Sequence, residues 1–343
     1  MPARSHGHGC QEKEAVLQGE TGLTGAPLRF DGKVAVVTGA GKGLGRAFAM
    51  ELASRGAAVI VNDIARTEDG AGHLAAQVVE EIVASGGRAK ANLASVAEAE
   101  GAASIVDDAL SFGSIDIIIN NAGCLLLGEF ETFPIDDLIT TFNVHVKGAF
   151  QIIQRAWPHM RKQGGGHVLN VASIGGNIVG NSNHAAYDTC KGALSGLTRN
   201  LALEGEPFGI KVNGLFPGAF TGMVKHAVNV VDQTISPNLD IDMRAELVGP
   251  TAAWLVHEEC GLTGAFFASS SGRLGRVFPG VAEGFQDDPE LFSMERIREH
   301  RERAHSTEPF FTPRTTQDFN KWRIGLFRAM QERRAKGAMQ PAE

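Results

Sequence analysis

The chain has 343 residues, of which 43% are hydrophobic and 21% charged, a balance typical of globular proteins and a length that can bury a large core. Its formal net charge of -7 argues against a nucleic-acid partner, which would favour a basic face, and no apolar run approaches the roughly 20 residues of a membrane helix. The four cysteines are widely separated and match neither a zinc nor a disulfide spacing, so we expect no metal centre, reduced thiols and a cytoplasmic location.

The first 26 residues are rich in glycine, glutamate and histidine and show no apolar period. We expect them to form a flexible leader, because such a segment cannot bury enough apolar surface to fold. The leader also lacks the apolar stretch of a secretory signal peptide.

From residue 27 to about residue 270, short apolar runs alternate with longer stretches of helical period. The apolar runs are Val34–Val37, Ala57–Val61, Ala89–Leu93, Ile115–Ile119, His167–Val171, Ile210–Leu215 and Ala265–Ala268. The helical stretches include Leu44–Arg55, Gly72–Ser85, Val96–Phe112, Leu194–Glu204 and Glu246–His257. Continuous apolar runs are typical of parallel strands that helices cover on both faces. The alternation therefore predicts an α/β fold of the Rossmann type, with one domain built on a doubly wound parallel sheet of about seven strands.

The first predicted strand leads directly into Thr38–Gly45, a glycine-rich turn that a helix follows. Glycines are needed there because the backbone turns tightly and approaches a pyrophosphate without intervening Cβ atoms. The helix then presents its amino-terminal N–H groups and the positive end of its dipole to the phosphates. We therefore predict a dinucleotide-binding loop whose contact residues include Gly39, Gly43, Leu44 and Gly45.

The second predicted strand is followed by Asp63, eighteen residues after Gly45. A carboxylate at this position can accept hydrogen bonds from both adenosine ribose hydroxyls, and it repels a 2′-phosphate. Lys42 in the glycine loop opposes this preference, because a cation there can pair with a 2′-phosphate. We expect the carboxylate to dominate, so the predicted cofactor is NAD rather than NADP.

The sequence contains a single tyrosine, Tyr187, and Lys191 follows it four residues later. Residues four apart share one face of a helix, so Lys191 can lie beside the phenol and lower its pKa toward working pH. The phenolate can then take the proton of an alcohol while a hydride leaves for a nicotinamide ring. Ser173, at the end of a predicted strand, can hydrogen-bond the same substrate oxygen. These three residues are the predicted catalytic set.

Together these motifs resemble those of the short-chain dehydrogenase/reductase family. The resemblance spans residues 33–270 and includes the Asn120–Gly123 segment and the Pro217-Gly218 pair. It implies that the first supports the central sheet and the adenine side of the cofactor, and that the second, with Thr221, contacts the nicotinamide end. The further cofactor contacts predicted in this way are Asn92, Leu93, Asn121, Ala122, Gly123, Tyr187, Lys191, Pro217, Gly218 and Thr221.

Further stretches are similar to the (3R)-hydroxyacyl-CoA dehydrogenase units of the peroxisomal multifunctional enzymes. They are Pro27–Gly32, Val61–Asp63, Val78–Ile82, Ala91-Asn92 and Trp254–Cys260. This resemblance implies NAD-linked oxidation of a (3R)-3-hydroxyacyl-CoA and a C-terminal extension after the sheet. One departure is Cys124–Leu127, which is more apolar than the matching segment of those enzymes and indicates an altered substrate mouth.

His145 is a second departure, because most members of the family carry an active-site asparagine at this position. In the family the backbone carbonyl of that residue, rather than its side chain, holds a water that links the lysine to a proton relay. The resemblance therefore implies that His145 can serve as a fourth catalytic residue. Asn143, two residues earlier, is the weaker candidate.

The alternation of strands and helices ends near Ser270, and eight aromatic residues are spread over the tail that follows. So many aromatic side chains would leave an exposed apolar patch if the tail stayed solvated. We therefore expect residues 271–343 to form an extension that packs on the core or on a partner subunit of a homodimer or homotetramer. The basic second half of the tail could meet CoA phosphates, although such a run is more often a solvated helix face.

Two alternatives to the acyl-CoA prediction remain open. A hydroxysteroid or another hydrophobic alcohol is the alternative substrate, and an apolar segment at Met223–Ile235 would suit either substrate as a lid or would pack on the core. A dinucleotide-binding redox sensor without turnover is the alternative from a different class of protein. An intact set of Ser173, Tyr187 and Lys191 argues against the sensor, because a sensor does not need the phenol.

Overall fold

An eight-stranded sheet forms the centre of the computed structural model, which describes residues 26–221 and 241–335. The strands are β1 Val34–Thr38, β2 Ala58–Asn62, β3 Arg88–Asn92, β4 Ile117–Asn120, β5 Gly166–Val171, β6 Ile210–Gly218, β7 Phe266–Ser270 and β8 Arg273–Val277. Their order in the sheet is β3-β2-β1-β4-β5-β6-β7-β8. β1 to β7 are parallel, which confirms the predicted doubly wound sheet.

Helices cover both faces of this sheet. They are α1 Gly43–Ser54, α2 Leu74–Ala84, α3 Ala99–Leu110, α4 Ile135–Phe142, α5 Gly148–Gln163, α6 Ala185–Gly205 and α7 Gly249–Leu255. α1, α2 and α7 contribute to one buried cluster, whereas α3, α5 and α6 contribute to a second cluster on the opposite face. A π-helical segment, Asn143–Lys147, joins α4 to α5.

The continuous apolar runs follow from burial on both faces. In β1, Ala35 and Val37 belong to the cluster under α1, and Val34 and Val36 belong to the cluster on the other face. All five residues of this strand are buried. A charged side chain on either face of a central strand would therefore lose its hydration.

The two edges of the sheet differ from the sequence prediction. β3 lies one residue earlier than the predicted run Ala89–Leu93, and it alternates charged and small residues because it is an edge strand. β8 was not predicted at all. It turns back antiparallel to β7 and lies within the stretch assigned to the C-terminal extension. Its Arg-Leu-Gly-Arg-Val sequence has no apolar run, since this edge strand is largely exposed.

Beyond β8, the extension contains further strands and helices as far as Ala335. Its elements are β9 Val281–Ala282, α8 Met294–Glu299, α9 Arg301–Ala304, β10 Phe310–Phe311 and α10 Thr316–Ala335, with β9 and β10 paired antiparallel. Aromatic rings pack among themselves there, as Trp322 does against Phe311 and Phe319. Arg314 forms an ion pair with Glu206 of the core. Whether the extension packs on the core or on a partner subunit stays a prediction.

Two predicted segments fall wholly or mainly outside the residues that the structure describes: the leader, of which only residue 26 is described, and the apolar segment at 223–235. Among the helices described, none combines the length and the apolar character needed to cross a membrane.

Candidate active site

A cavity of about 440 Å³ opens where β1, β2, β4, β5 and β6 end. Its lining runs from Gly39 and Asp63 at one end to Ser173, Tyr187 and Lys191 at the other. The chain leaves β1 and β4, which are neighbours in the sheet, toward opposite faces. Ligands of doubly wound sheets bind at such a switch point, beyond the carboxyl ends of the strands. The cavity therefore unites the predicted cofactor loop and the predicted catalytic set.

The glycine loop packs directly against the segment that follows β4. Gly39 has a φ of +61°, and a Cβ there would lie 2.8 Å from the Cα of Ala122. A Cβ on Gly45 would lie 2.1 Å from the carbonyl oxygen of Gly39. Asn121 fixes this contact, because its Nδ2 donates to the carbonyls of Thr38 (2.9 Å) and Gly39 (3.1 Å). Steric fit therefore explains two glycines of the loop and the asparagine that faces them.

The amino end of α1 fits the pyrophosphate of a dinucleotide. No side chain caps this 12-residue helix, and its first turn contains no acidic residue. The first N–H groups of a helix lack partners within the helix, and together with the helix dipole they attract an anion. Gly43 and Leu44 line the cavity at this end. The residues present therefore suit a phosphate group.

Asp63 lies beside the glycine loop, in the position predicted for ribose recognition. Its Oδ2 accepts a hydrogen bond from the Gly41 N–H (2.9 Å), and its Oδ1 accepts one from the Ala65 N–H (2.8 Å). These two bonds fix the orientation of the carboxylate at the cavity wall. Lys42, the residue that favours NADP, lines the same cavity.

Most of the predicted cofactor residues line the cavity, and three do not. Those that do are Gly39, Gly43, Leu44, Gly45, Asp63, Asn121, Ala122, Gly123, Tyr187, Lys191, Pro217 and Thr221. Asn92, Leu93 and Gly218 lie outside the lining. The side chain of Asn92 is instead occupied by bonds to Asn62 and Asp108.

The lining also contains residues that the sequence analysis did not select, among them Ser95, Val96 and Ala219. Ser95 and Val96 lie just beyond the Asn92-Leu93 pair on the same connection, and Ala219 directly follows Gly218. Cofactor contacts at Asn92, Leu93 and Gly218 stay predictions, and these neighbouring residues are the ones that face the cavity.

The catalytic set is brought together by α6 and the end of β5. Tyr187 and Lys191 lie one turn apart on α6, and the Lys191 Nζ is 5.5 Å from the centroid of the Tyr187 ring. That Nζ donates a 2.7 Å hydrogen bond to the Val171 carbonyl in β5. Ser173 follows two residues later and lines the same cavity. The arrangement brings a phenol, an ammonium and a hydroxyl to the wall of one cavity.

A family model for short chain dehydrogenases matches residues 33–231, more than half of the chain. The chain belongs to the short-chain dehydrogenase family. It is therefore an oxidoreductase with activity of the alcohol dehydrogenase type, and the NAD(P)-binding fold predicted from its sequence is confirmed.

Three known proteins show the range of its similarities. Peroxisomal multifunctional enzyme type 2 of Mus musculus is 40% identical over 257 residues, which are 74% of this chain and 33% of that protein. The chain thus spans about a third of the length of that relative. The crystal structure of a short chain dehydrogenase from Mycobacterium avium is 31% identical with a TM-score of 0.70, covering 81% of this chain and 98% of that one. A 7α-hydroxysteroid dehydrogenase complexed with NADH and a 7-oxo bile acid is 31% identical with a TM-score of 0.62, over 71% and 94%.

The ionisation of this dehydrogenase site is set mainly by burial. Burial raises the pKa of the Tyr187 phenol, and the neighbouring Asp188 carboxylate raises it further, while hydrogen bonding with Ser173 acts in the opposite direction. Burial also lowers the pKa of Lys191 to about 8. In the protein by itself, burial therefore outweighs the predicted lowering of the phenol's pKa by Lys191.

Asn177 ties Ser173 to α6, and its role could not be predicted from the sequence. Its Nδ2 donates to the carbonyl of Ser173 (2.8 Å) and, at 3.3 Å, to that of Lys191. The Ser173 Oγ accepts a bond from the Gly175 N–H (3.1 Å). Only the folded loop shows these contacts, because a half-buried Asn in a Gly-rich stretch otherwise resembles an ordinary turn residue.

Apolar side chains follow two segments of the site along the chain. Leu125, Leu126 and Leu127, directly after Cys124, are half-buried, and the loop after Ser173 presents Ile178 and Val179 with 56% and 49% of their surface exposed. An apolar rim formed by these two loops would favour a substrate with an apolar body.

Proposed function

We propose that the protein is an NAD-dependent dehydrogenase that interconverts a secondary alcohol and a ketone, with (3R)-3-hydroxyacyl-CoA and 3-oxoacyl-CoA as its substrate pair. The observation that carries the proposal is the convergence of Ser173, Tyr187 and Lys191 on one cavity with the glycine loop. The acyl-CoA part rests on the 40% identity with the multifunctional enzyme.

The residues of the site suit removal of two hydrogens from a carbinol. The Tyr187 oxygen takes the hydroxyl proton, and Ser173 donates a hydrogen bond to the same substrate oxygen as it becomes a carbonyl. Lys191, fixed on the Val171 carbonyl, stabilises the phenolate by its charge. The glycine loop, the amino end of α1 and Asp63 would hold NAD, which would supply the hydride acceptor and the positive charge of an oxidised nicotinamide ring. That second charge would offset the burial that raises the pKa of Tyr187.

Asp63 supports NAD over NADP. Its carboxylate is held against the glycine loop by two backbone N–H groups, where a 2′-phosphate would meet a like charge at low dielectric. Lys42 attracts the same phosphate. Because its ammonium is on a long flexible stem, we expect this attraction to be weaker than the repulsion of the phosphate by the fixed Asp63 carboxylate.

A hydroxysteroid or another hydrophobic alcohol is the second candidate substrate. The leucine-rich rim at Leu125–Leu127 favours it, because an apolar body with no phosphate needs no cation at the mouth. The structural similarity to a 7α-hydroxysteroid dehydrogenase is consistent with this candidate.

Steady-state reduction of NAD separates these possibilities. The test compares (3R)-3-hydroxyacyl-CoA thioesters of short and long chain with hydroxysteroids, and the 3S thioesters serve as the stereochemical control. We expect the 3R series to exceed the 3S series at least about tenfold in kcat/KM, a difference of about 1.4 kcal/mol. Turnover of hydroxysteroids alone would replace the substrate assignment. NAD binding without turnover of any alcohol would instead support a redox sensor.

We also expect a homodimer or homotetramer, in the cytoplasm. Ile139 and Phe142 on α4 and Phe150 on α5 are 46% to 50% exposed, and an apolar surface of this kind is typical of a subunit interface. The location rests on the spacing of the four cysteines, which matches no disulfide pattern and favours a reducing compartment.

A further inference from the structure

His145 is a buried imidazole at the centre of the site, and the chemistry proposed above leaves its side chain without a role. It is 2% exposed and belongs to the π-helical segment Asn143–Lys147. Single π-turns within helices interrupt the regular ladder and are frequent at functional sites. Here the segment lies between α4 and α5 and turns the imidazole toward Tyr187.

Two contacts fix the imidazole. Its Nε2 lies 2.8 Å from the Cys124 carbonyl oxygen and 3.0 Å from the Cys124 nitrogen. Its ring meets the Tyr187 ring edge to face, with centroids 5.5 Å apart and planes at 90°. This T-shaped geometry is one that aromatic rings prefer. His145 thus bridges the segment after β4 and the catalytic phenol.

Gly123 shows how closely the imidazole is packed. A Cβ on Gly123 would lie 2.3 Å from the Cε1 atom of His145, so the chain has room for the ring only because residue 123 has no side chain. The last glycine of the Asn-Asn-Ala-Gly segment therefore serves the imidazole as well as the cofactor wall.

The imidazole is uncharged at the pH of metabolism. Burial lowers the pKa of His145 to about 3, and the nearby Lys191 ammonium contributes to this shift. Within the described residues its Nδ1 is buried and has no hydrogen-bond partner. A cationic side chain at this position would repel the Lys191 ammonium. A neutral imidazole does not, so Lys191 remains the group whose charge stabilises the phenolate.

We propose that the His145 side chain is a positioning residue, which holds the Tyr187 ring at the angle that turns its hydroxyl toward Ser173. This role is separate from that of the His145 backbone carbonyl, and it rests on the proposed dehydrogenase function. Two properties are needed together: a ring whose edge packs against the phenol, and a nitrogen that reaches the Cys124 backbone. Asparagine supplies no ring, and phenylalanine supplies no nitrogen.

Two variants separate these properties, and a third is the matched control. His145→Gln keeps a side-chain nitrogen within reach of Cys124 but removes the ring, whereas His145→Phe keeps the ring and removes the nitrogen. His184→Asn is the control, because His184 also meets the Tyr187 ring edge to face, at 6.4 Å, but near the surface. kcat, the KM and affinity for NAD, and the melting temperature are measured for each.

We expect both His145 variants to lower kcat at least about tenfold, equivalent to about 1.4 kcal/mol, with NAD affinity within about twofold of wild type, and the control to stay within twofold in both. Because Tyr187 is the sole tyrosine of the chain, the tyrosinate absorbance of the NAD-bound protein reports its pKa without turnover. His145→Gln should lower that pKa by exposing the phenol to water, so that activity falls although the phenol becomes more acidic.

Wild-type kcat in either His145 variant would overturn the proposal, because the ring and the nitrogen are proposed to be needed together. An unchanged tyrosinate titration in His145→Gln would overturn it as well. If His145→Gln does not fold, the kcat of His145→Phe tests the proposal. The NAD affinity of His145→Phe then shows whether that variant is folded. Failure of the wild-type protein to turn over any alcohol would instead overturn the proposed function, and the tyrosinate titration would still test the position of Tyr187.

Discussion

Two side chains of the site, Tyr187 and Lys191, have surroundings that shift their pKa values away from the ordinary ones. Burial makes the Tyr187 phenol harder to deprotonate, and it makes the Lys191 ammonium easier to deprotonate. A site of this kind gains its reactive form only when further charge is added. Cofactor binding and chemistry should therefore be coupled, with NAD bound before the alcohol loses its proton.

Asp63→Ala should weaken NAD binding and narrow the preference for NAD over NADP. The variant removes a charged acceptor of ribose hydrogen bonds, worth about 1.5–3 kcal/mol, and it removes the repulsion of a 2′-phosphate. Dissociation constants of both cofactors for wild type and variant are the measurement, and Asp69→Ala, in the exposed turn after β2, is the control. Better kcat/KM with NADP in the wild-type protein would show that Lys42 dominates.

At the scale of elements, the glycine loop and α1 form one unit with the segment after β4. The sequence predicted this unit from its composition, and the fold shows which atoms its glycines approach. Gly39 and Gly45 are required by close approach within the protein, as the dinucleotide fingerprint expects of its first and third glycines, which serve the tight turn and the helix packing.

Gly45→Ala should abolish NAD binding and lower stability, because its Cβ would lie 2.1 Å from the Gly39 carbonyl oxygen and overpacking costs typically about 1–3 kcal/mol. Gly196→Ala on α6 is the matched control, since no atom lies within 4 Å of a Cβ built there. NAD affinity and the melting temperature are compared. Unimpaired NAD binding by Gly45→Ala would contradict the packing described for the loop.

Central strands were predictable from sequence, and the edges and connections were not. β1 and β2 appear as apolar runs because both of their faces are buried, whereas β8 carries two arginines in five residues and pairs on one side only. Tyr187 and Lys191 were predictable because helical spacing is local. Asn177 and the His145–Cys124 contact depend on chain segments brought together from a distance, which no local pattern encodes.

At the scale of the whole molecule, buried histidines should make the protein sensitive to acid. The pKa of His145 is lowered to about 3, and that of the half-buried His167 to about 4, by burial first and then by nearby lysines. Both folded-state values lie below the ordinary 6.5, so between that value and pH 4 the unfolded chain binds more protons than the folded one. Stability is therefore complete above pH 6.5 and falls as the pH drops below it.

The predicted loss at about pH 5 is at most roughly 2 kcal/mol for each of these histidines. Chemical denaturation at neutral pH and at about pH 5 measures it. His167→Gln should remove part of the acid sensitivity, while His159→Asn, on the exposed face of α5, should leave it unchanged. An identical pH dependence for His167→Gln and wild type would refute the contribution of His167.

Tyr187→Phe tests whether the phenol of Tyr187 is the acid/base of an NAD-linked alcohol dehydrogenase. The variant removes one hydroxyl and keeps the ring that packs against His145. We predict unchanged NAD affinity and melting temperature, with kcat lower by at least about 100-fold, the range expected for loss of a general acid/base. A variant that keeps more than about a tenth of the wild-type kcat would contradict the account.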